Sequence, residues 1–257
     1  MNVYGIIPAR LQSTRLPRKL LLAETGRPLI EYTWRAASRA RNLKQVLIAA
    51  DSDEIRQVVE RFGARCELTG EHPSGTDRIA EVARRCCPDG DVFVNIQGDE
   101  PEIDPANIEA VVAALVECPT ADMATLATPM TSLEQVQISS CVKVVVAADG
   151  RALYFSRAAI PFCRDREPAE VLQTDQPWLL HLGIYAYRAD FLRKLTTLPP
   201  SRLEQLEKLE QLRALEAGAR IQVAVVRHHS VGIDTPEDYA RFVARQSGGV
   251  EVDRMTR

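Results

Sequence analysis

Short apolar runs alternate with amphipathic segments along the first half of the chain. A short, mostly apolar run spans 2–8 and ends at Pro8. A polar and basic stretch follows, and a helical pattern of apolar residues runs from Pro28 to about Ala40. The same order recurs twice, with predicted strands at 46–50 and 91–97 and predicted helices at 53–62 and 104–118. Strands that alternate with helices predict an α/β fold with a mostly parallel central sheet flanked by helices.

The middle of the chain has a different pattern. Residues 141–157 predict two strands joined by an Asp-Gly turn, and residues 179–188 predict one further strand. We therefore expect a β-rich insertion around 141–190. Because no repeat, low-complexity tract or linker separates the segments, the pattern favours a single domain over 1–257.

The last part of the chain returns to helix. Its apolar stripe consists of leucines that recur every three residues: Leu203, Leu206, Leu209, Leu212 and Leu215. This stripe predicts one helix over 202–218, with Gly218 as its stop. A strand at 221–226 and a helix from Pro236 complete the pattern.

Composition narrows the functional classes. With 257 residues and 46% hydrophobic content the chain can bury a substantial core, while a net charge of -3 gives no overall basic field for a nucleic-acid backbone. A small anionic ligand is therefore the favoured partner. The six cysteines lack CxxC spacing and are expected to be free thiols, and no apolar stretch approaches the length of a membrane span. A cytoplasmic location is the default expectation.

Positive charge is concentrated directly after the first predicted strand. The segment 8–21 contains Arg10, Arg15, Arg18 and Lys19, and no acidic residue precedes Glu24. Ligands of open parallel sheets bind at the carboxyl ends of the strands, so these cations could hold a triphosphate. Composition alone leaves a solvated surface loop as an equal alternative. No GxxxxGK[ST], GxGxxG or GxSxG motif supports a P-loop, a dinucleotide site or a nucleophile elbow.

The run IIPARLQSTRLPRK resembles the nucleotide-binding signature of the sugar-acid cytidylyltransferases. Further segments match the branch of that family specific for Kdo (3-deoxy-D-manno-octulosonate), and they do so in order along nearly the whole chain. They are HPSGTDRIAEV (72–82), VNIQGDEPEI (94–103), the segments 143–164, 181–188 and 203–218, and VGIDTPEDY (231–239). The resemblance implies a single nucleotidyltransferase domain with a fold related to GT-A. One departure is Arg18, since the family usually has glycine there.

The resemblance also assigns roles to individual residues. Arg10, Ser13, Arg15 and Lys19 would contact the CTP phosphates, and Ser74, Gly75, Thr76, Arg78 and Gln97 the nucleoside. Asp99 and Asp234 would hold one Mg²⁺ and, with Lys19, form the catalytic set. Arg157, His181, Tyr185, Glu210 and Gln211 would bind the acidic sugar. From local pattern alone, Asp99 could equally cap a turn, Asp234 could start a helix and His181 could be a structural core residue.

The activity implied by the resemblance is transfer of CMP from CTP to Kdo, giving CMP-Kdo and pyrophosphate for lipopolysaccharide synthesis. A homodimer is the family expectation, with the 141–190 subregion available for substrate or dimer contacts. An 8-amino analogue of Kdo, sialic acid or a sugar phosphate is the alternative acceptor. A nucleotide-binding regulatory protein without turnover is the alternative from another functional class.

Overall fold

The computed structural model describes residues 1–254. In it the chain forms two compact units: the first unit contains residues 2–89, 95–105 and those from 230 onward, and the second unit contains Met1, 90–94 and 106–229. A single nucleotidyltransferase domain over 1–257 stays a prediction, and its positions 255–257 lie outside the described residues. No helix within residues 1–254 is long and apolar enough to span a membrane.

The secondary structure alternates between strands and helices in the first half of the chain and is richer in strands in the middle. The strands are β1 (Val3–Ala9), β2 (Gln45–Ala50), β3 (Arg65–Leu68), β4 (Val92–Asn95), β5 (Met123–Pro129), β6 (Lys143–Val146), β7 (Ala152–Ser156), β8 (Leu179–Arg188) and β9 (Ile221–Val225). The helices are α1 (Leu29–Ala37), α2 (Asp53–Arg61), α3 (Gly75–Cys86), α4 (Pro105–Glu117), α5 (Leu133–Gln137), α6 (Pro168–Thr174), α7 (Ala189–Leu195), α8 (Arg202–Glu207), α9 (Gln211–Glu216) and α10 (Pro236–Arg254). A 3₁₀ turn spans Lys19–Leu21.

In the first unit, β1, β2 and β3 form parallel ladders in the order β3-β2-β1. Ile6 pairs with Leu47 and Ala50 with Leu68. Nearly every residue of β1 and β2 is buried, because helices cover both faces of such a sheet and leave no polar side. Their carboxyl ends, at Ala9 and Ala50, are therefore where the following loops can carry chemistry.

In the second unit the strands follow the order β4-β8-β5-β9. β5 runs parallel to β9 and antiparallel to β8, and a register shift between Thr125 and Leu126 marks a bulge. The hairpin predicted within 141–157 is present as β6 and β7, and the strand predicted at 179–188 is β8 with the same bounds. The predicted α/β fold with a mostly parallel sheet flanked by helices is confirmed.

Serine caps begin three of the helices that matter below. Ser52 accepts the Ile55 N–H at the start of α2, and Ser74 accepts the Asp77 N–H at the start of α3. Ser201 and Glu204 form a reciprocal capping box at the start of α8. Each cap satisfies backbone donors that the first helical turn leaves without partners, which fixes where the helix begins.

The prediction of one leucine-striped helix over 202–218 was wrong. α8 ends at Lys208, which has a left-handed backbone with φ 54°, and α9 begins at Gln211. Leucines at every third residue drift by about 60° per step around a helix, so five of them cannot share one face. Breaking the helix buries Leu209 and Leu212 and leaves Leu206 exposed. The predicted stop at Gly218 is confirmed by its φ of 78°.

The sequence pattern did not indicate β3, β5 or the short helices α5, α6 and α7. β3 is brief and its sequence, Arg-Cys-Glu-Leu, has neither a clean alternation nor an apolar run. β5 is almost wholly buried, but its Ala and Thr residues give a weak signal for a strand. Both strands are specified by the ladders on which they pair.

Candidate active site

The loop after β1 carries the predicted phosphate contacts. Arg10 and Arg15 are exposed, Ser13 is half-buried and Lys19 is buried. The Leu11 N–H donates to Asp51 Oδ1 over 2.9 Å, which fixes the start of this loop to the residue that follows β2. The loop thus presents two arginines to solvent and turns one lysine inward, an arrangement suited to a polyanion.

Arg18 stands where the resemblance leads us to expect glycine. Its φ of 57° and ψ of 26° lie in the left-handed region that glycine adopts at no steric cost. The residue precedes the 3₁₀ turn Lys19–Leu21, and the Lys19 and Leu21 N–H groups close turns onto Leu16 and Arg18 carbonyls. Arg18 also forms an ion pair with Glu54 at the start of α2. The loop keeps a glycine-type turn with an arginine in it.

Lys19 joins two carboxylates that are far apart in sequence. Its Nζ lies 2.6 Å from Asp99 Oδ2 and 3.1 Å from Asp234 Oδ1, and its side chain is 10% exposed. Arg15 Nη2 lies 3.0 Å from the other oxygen of Asp234. The structure therefore brings Lys19, Asp99, Asp234 and Arg15 of the predicted site together.

Backbone and apolar contacts hold these carboxylates in place. The Ile233 N–H donates to the Asp99 carbonyl over 2.9 Å, so the residue before Asp234 is tied to Asp99 itself. Ile233 packs in a buried cluster with Leu16, Leu29, Tyr239 and Phe242. Leu16 belongs to the loop after β1, so one apolar cluster orders two of the three segments that supply the charged group.

Gly98 lies where the backbone at the end of β1 approaches closely. A Cβ at this position would lie 3.2 Å from the Pro8 carbonyl oxygen and 3.3 Å from Ile7. The Gly98 carbonyl also accepts a hydrogen bond from buried Thr33 Oγ1 at 2.9 Å. The turn that presents Asp99 therefore lies directly against the end of β1.

Asp234 does not cap the helix that follows it. Thr235 Oγ1 accepts the Asp238 N–H at 3.2 Å, and Asp238 Oδ2 accepts the Thr235 N–H at 2.9 Å, which is the reciprocal pattern of a capping box. Because α10 is capped by Thr235, the Asp234 carboxylate is left for Lys19 and Arg15.

The carboxylate pair fits a divalent cation chemically. Asp99 and Asp234 already share one positive charge, the Lys19 ammonium, and their donors are the hard oxygens that Mg²⁺ prefers alongside phosphate and water. Within residues 1–254 no group of three or more His, Cys, Asp and Glu side chains is close enough together to hold a metal. The protein ligands of a metal here would thus be two carboxylates, and the role of this pair stays a prediction.

Glu100 adjoins the pair but faces a different environment. Burial raises the pKa of Glu100 to about 7, against the opposing effect of the hydrogen bond from Ser230 Oγ at 2.8 Å. Asp99 next to it adds to the rise through like-charge repulsion. Glu100 is therefore far easier to protonate than an ordinary glutamate.

The predicted nucleoside contacts lie around the start of α3. Ser74 is its N-cap, and Gly75 is its first residue. Gly75 lies against the Pro8 side chain, since a Cβ on Gly75 would be 3.4 Å from Pro8 Cγ. Thr76 is buried, Gln97 is half-buried, and Arg78 is only 2% exposed. The Arg78 guanidinium bonds Thr69 Oγ1, while its Nε lacks a hydrogen-bond partner among the described residues. Burial lowers the pKa of Arg78, with Asp51 opposing that change.

The predicted sugar-acid residues lie in the second unit. His181 and Tyr185 lie four residues apart on β8, with ring centroids 5.4 Å apart, and the His181 ring also lies 4.9 Å from the Phe155 ring. His181 Nε2 lies 3.0 Å from buried Thr125 Oγ1. Desolvation lowers the pKa of His181 to about 3 and raises that of Tyr185 well above its usual value. Both side chains are therefore neutral hydrogen-bonding groups at neutral pH.

Gln211 has a buried amide nitrogen that lacks a hydrogen-bond acceptor among the described residues. Its side chain is 4% exposed, yet its Nε2 makes no hydrogen bond within the described part of the chain. An amide donor buried without a partner costs about 1–3 kcal/mol, a cost that a ligand acceptor would remove. Glu210 directly before it is exposed, so the pair can offer both an acceptor and a donor.

Arg157 has more protein contacts than its predicted role requires. Its guanidinium donates to three backbone carbonyls: Glu207 at 2.6 Å, Ser139 at 2.9 Å and Lys208 at 3.5 Å. These bonds anchor it beside the break between α8 and α9. That it also holds a sugar carboxylate stays a prediction.

Comparison with known proteins decides the family. The profile of the family described as Cytidylyltransferase matches residues 4–221. The 3-deoxy-manno-octulosonate cytidylyltransferases of Rhodopirellula baltica and Syntrophobacter fumaroxidans are 47% and 49% identical to the chain, over 95% of it and over 98% and 96% of their own lengths. The chain belongs to the 3-deoxy-manno-octulosonate cytidylyltransferase family.

Solved structures agree with this membership of the cytidylyltransferases. A CMP:2-keto-3-deoxy-manno-octonic acid synthetase complexed with CTP is 37% identical, with a TM-score of 0.89 over 97% of this chain and 100% of that one. A 4-diphosphocytidyl-2C-methyl-D-erythritol synthase from Anaerococcus prevotii is 13% identical, with a TM-score of 0.60 over 96% of this chain and 98% of that one, and shares the fold.

Sequence reasoning missed supporting residues in this cytidylyltransferase. Asp51 binds the loop at Leu11 and lies near Arg78, but its position after β2 was the only signal for it. Glu81 accepts bonds from the Gly70 N–H and from His72, which orders the segment before Ser74. Its spacing from His72 spans a loop and a helix, so no periodic pattern could reveal the pair.

Exchanging Arg18 tests the left-handed turn. Arg18→Gly and Arg18→Val both remove the ion pair with Glu54, but only glycine tolerates a φ of 57° without strain. We expect the valine variant to have a free energy of unfolding about 1 kcal/mol lower than the glycine variant. Urea unfolding of the two proteins measures the difference, and equal midpoints would contradict the proposed backbone constraint.

The pH dependence of stability tests the environment of His181. Its pKa is about 3 in the folded protein against 6.5 ordinarily, so the unfolded chain binds more protons below pH 6.5 and stability falls with falling pH. Between pH 8 and pH 5 the wild type should lose up to about 2 kcal/mol more unfolding free energy than His181→Asn. This is an upper value because the ring keeps some solvent contact. Equal losses in both proteins, measured by denaturant unfolding, would refute the shifted pKa.

Proposed function

We propose that this protein transfers CMP from CTP to Kdo and releases pyrophosphate. The observation that carries the proposal is the convergence of Lys19, Asp99 and Asp234 beside an arginine-rich loop, in a chain that aligns over nearly its full length with 3-deoxy-manno-octulosonate cytidylyltransferases. The same fold was solved with CTP in a synthetase of 37% identity. The unpartnered amide of Gln211 supports a polar, hydroxyl-bearing acceptor.

The reaction is a nucleotidyl transfer. The 2-hydroxyl oxygen of Kdo forms a bond to the α-phosphorus of CTP, the bond from that phosphorus to the β-phosphate bridging oxygen breaks, and the hydroxyl proton is lost to solvent. Arg10 and Arg15 are exposed cations available to neutralise the phosphates, and Lys19 adds a charge fixed by two carboxylates. Fixed cations lower the barrier because they need no reorganisation as charge moves to the leaving group.

Asp99 and Asp234 would hold Mg²⁺ in the working enzyme, which would neutralise phosphate charge and favour the deprotonated form of the attacking hydroxyl. Neither aspartate needs to transfer a proton in this arrangement. Ser74, Gly75, Thr76, Arg78 and Gln97 would recognise the nucleoside, as the resemblance implies. Ser74 and Gly75 support that role by standing at the amino end of α3, where backbone N–H groups are available.

The acceptor is held by residues of the second unit. In the proposed site Arg157 binds the Kdo carboxylate, and Glu210, Gln211, Tyr185 and His181 bind its hydroxyls. Because His181 and Tyr185 are neutral over the physiological pH range, they orient the sugar without adding charge. An arginine provides the single positive group that an acidic sugar needs.

Assembly and location belong to the same proposal. Leu153, Phe162 and Leu206 of the second unit are 48%, 86% and 70% exposed, and such apolar side chains support a homodimer. All six cysteines are free thiols, which suits the cytoplasm, where thiols stay reduced. We propose that the CMP-Kdo product serves lipopolysaccharide synthesis there.

Pyrophosphate release tests the function directly. Purified protein is assayed with CTP, UTP and ATP against Kdo, 8-amino-Kdo and sialic acid, with Mg²⁺ present. We expect release with CTP and Kdo well above every other pair. Release that is fastest with another acceptor would replace Kdo as the substrate, and no release with any pair would favour a regulatory nucleotide-binding protein.

Replacing Asp234 tests the shared-metal assignment. Asp234→Asn keeps the size and one oxygen donor but removes the negative charge, so turnover should fall roughly 10²–10³-fold and require more Mg²⁺. The matched control is Asp89→Asn, because Asp89 also pairs with a lysine but lies near the start of β1, away from Asp234. Its Oδ2 is 2.6 Å from Lys44 Nζ, and its Oδ1 accepts from the Tyr4 hydroxyl. The turnover of Asp89→Asn should be unchanged. Normal activity and metal dependence in Asp234→Asn would show that Asp234 holds no metal.

A further inference from the structure

The backbone of Arg157 is held at both its polar groups. Its N–H donates to Glu207 Oε2 over 2.9 Å, and its carbonyl accepts from Lys143 Nζ over 2.7 Å. Lys143 is fully buried and also donates to the Ile138 and Cys141 carbonyls at 3.1 and 2.6 Å. Such complete satisfaction is what allows an ammonium group to be buried.

Glu207 forms the other half of this arrangement. Its Oε1 accepts from Ser156 Oγ over 2.6 Å while Oε2 holds the Arg157 N–H, so one carboxylate binds two consecutive residues at the end of β7. The Arg157 side chain returns the contact by donating to the carbonyls of Glu207 and Lys208. These reciprocal bonds tie the end of β7 to the end of α8.

This tie lies directly before the start of α9 in the chain. α8 ends at Lys208, whose left-handed backbone reverses the chain, and Gln211 is the first residue of α9. The carbonyls of Glu207 and Lys208 lie at the end of α8, where a helix leaves its last acceptors without partners. The Arg157 guanidinium satisfies them, so the geometry of Arg157 and the start of α9 are set together.

We propose that Glu207 is a positioning residue for the sugar-acid site. Its carboxylate fixes Arg157, whose side chain is bonded to the backbone just before Gln211, and it acts through Arg157 without touching the substrate. The inference rests on the proposed function for the identity of the ligand. It predicts that loosening Glu207 weakens the use of Kdo and leaves the use of CTP intact.

The variant Glu207→Gln tests this at constant size. An amide can accept with its oxygen only, so it cannot accept from both Ser156 and the Arg157 N–H as the carboxylate does. The matched control is Glu216→Gln on α9, because the Glu216 carboxylate accepts the Leu203 N–H at 3.0 Å in the same helix pair and does not contact Ser156 or Arg157. Both variants lose one charge and alter one acceptor.

The measurement is the KM for each substrate from pyrophosphate release. We expect the KM for Kdo to rise about tenfold in Glu207→Gln, which corresponds to loss of one charge-assisted hydrogen bond of about 1.4 kcal/mol, with the KM for CTP within about twofold of wild type. Glu216→Gln should change neither. An unchanged KM for Kdo, an equal rise for both substrates, or the same shift in Glu216→Gln would each overturn the positioning role.

Two additions keep the test decisive. Ser156→Ala removes the bond to Glu207 and the bond that Ser156 Oγ accepts from the Ala158 N–H, whereas Ser156→Cys keeps a weaker donor and acceptor. The alanine variant should raise the KM for Kdo by about threefold even if Glu207→Gln folds poorly, and the cysteine variant by less; no rise in the alanine variant would count against the proposal. Amide hydrogen exchange, measured without substrate, should be faster at the Arg157 N–H in Glu207→Gln than in the wild type, and unchanged in Glu216→Gln. Unchanged exchange at Arg157 in Glu207→Gln would also overturn the positioning role. Failure of the proposed function itself would appear separately, as a wild type that releases no pyrophosphate from CTP and Kdo.

Discussion

The contacts of the Lys19 ammonium are those on which the arrangement of the charged residues in the first unit depends. Two aspartates brought close together repel, and their separation in the sequence means that nothing local holds them in place. One ammonium within 2.6 and 3.1 Å of both oxygens compensates that repulsion and defines their geometry. The Ile233 N–H bond to Asp99 and the apolar cluster around Leu16 keep the three segments close enough for this to happen. The ion pairs of Lys19 and the apolar packing around Leu16 therefore stabilise the same group of segments.

The second unit organises polar groups differently. The hydrogen bonds of three charged residues in this unit go mostly to backbone groups: those of Lys143, Glu207 and Arg157. These charges therefore need no direct ion pair with one another. In contrast, Gln211 is buried and its amide nitrogen has no partner among the residues that the structure describes. A ligand acceptor bound to this donor would recover its desolvation cost, which is why the proposed acceptor site includes Gln211.

Much of the fold could be predicted because many of its strands are apolar runs and its first helices have apolar residues at helical spacing. The strand at 179–188 and the helix starts near Asp53 and Pro105 followed from composition and spacing alone. The break at Lys208 could not, because it depends on Arg157 capping the end of α8 from a distant strand. β5 was missed for a similar reason, since its ladder partners specify it. Among site residues, the convergence of Asp99 and Asp234 came from family resemblance, and supporting residues such as Glu81 and Glu207 have no sequence signature at all.

Arg18 has a consequence for recognising such loops in other chains. The turn before Lys19 is defined by a backbone angle of 57°, and the loop accommodates a charged side chain at that angle because the side chain points to solvent and Glu54. A search pattern that requires glycine at this position selects the residue with the lowest backbone strain. It would discard chains in which another residue adopts the same left-handed conformation. Patterns built on the flanking positions, such as Arg15 and Lys19, follow the residues proposed to bind the phosphates and would retain such chains.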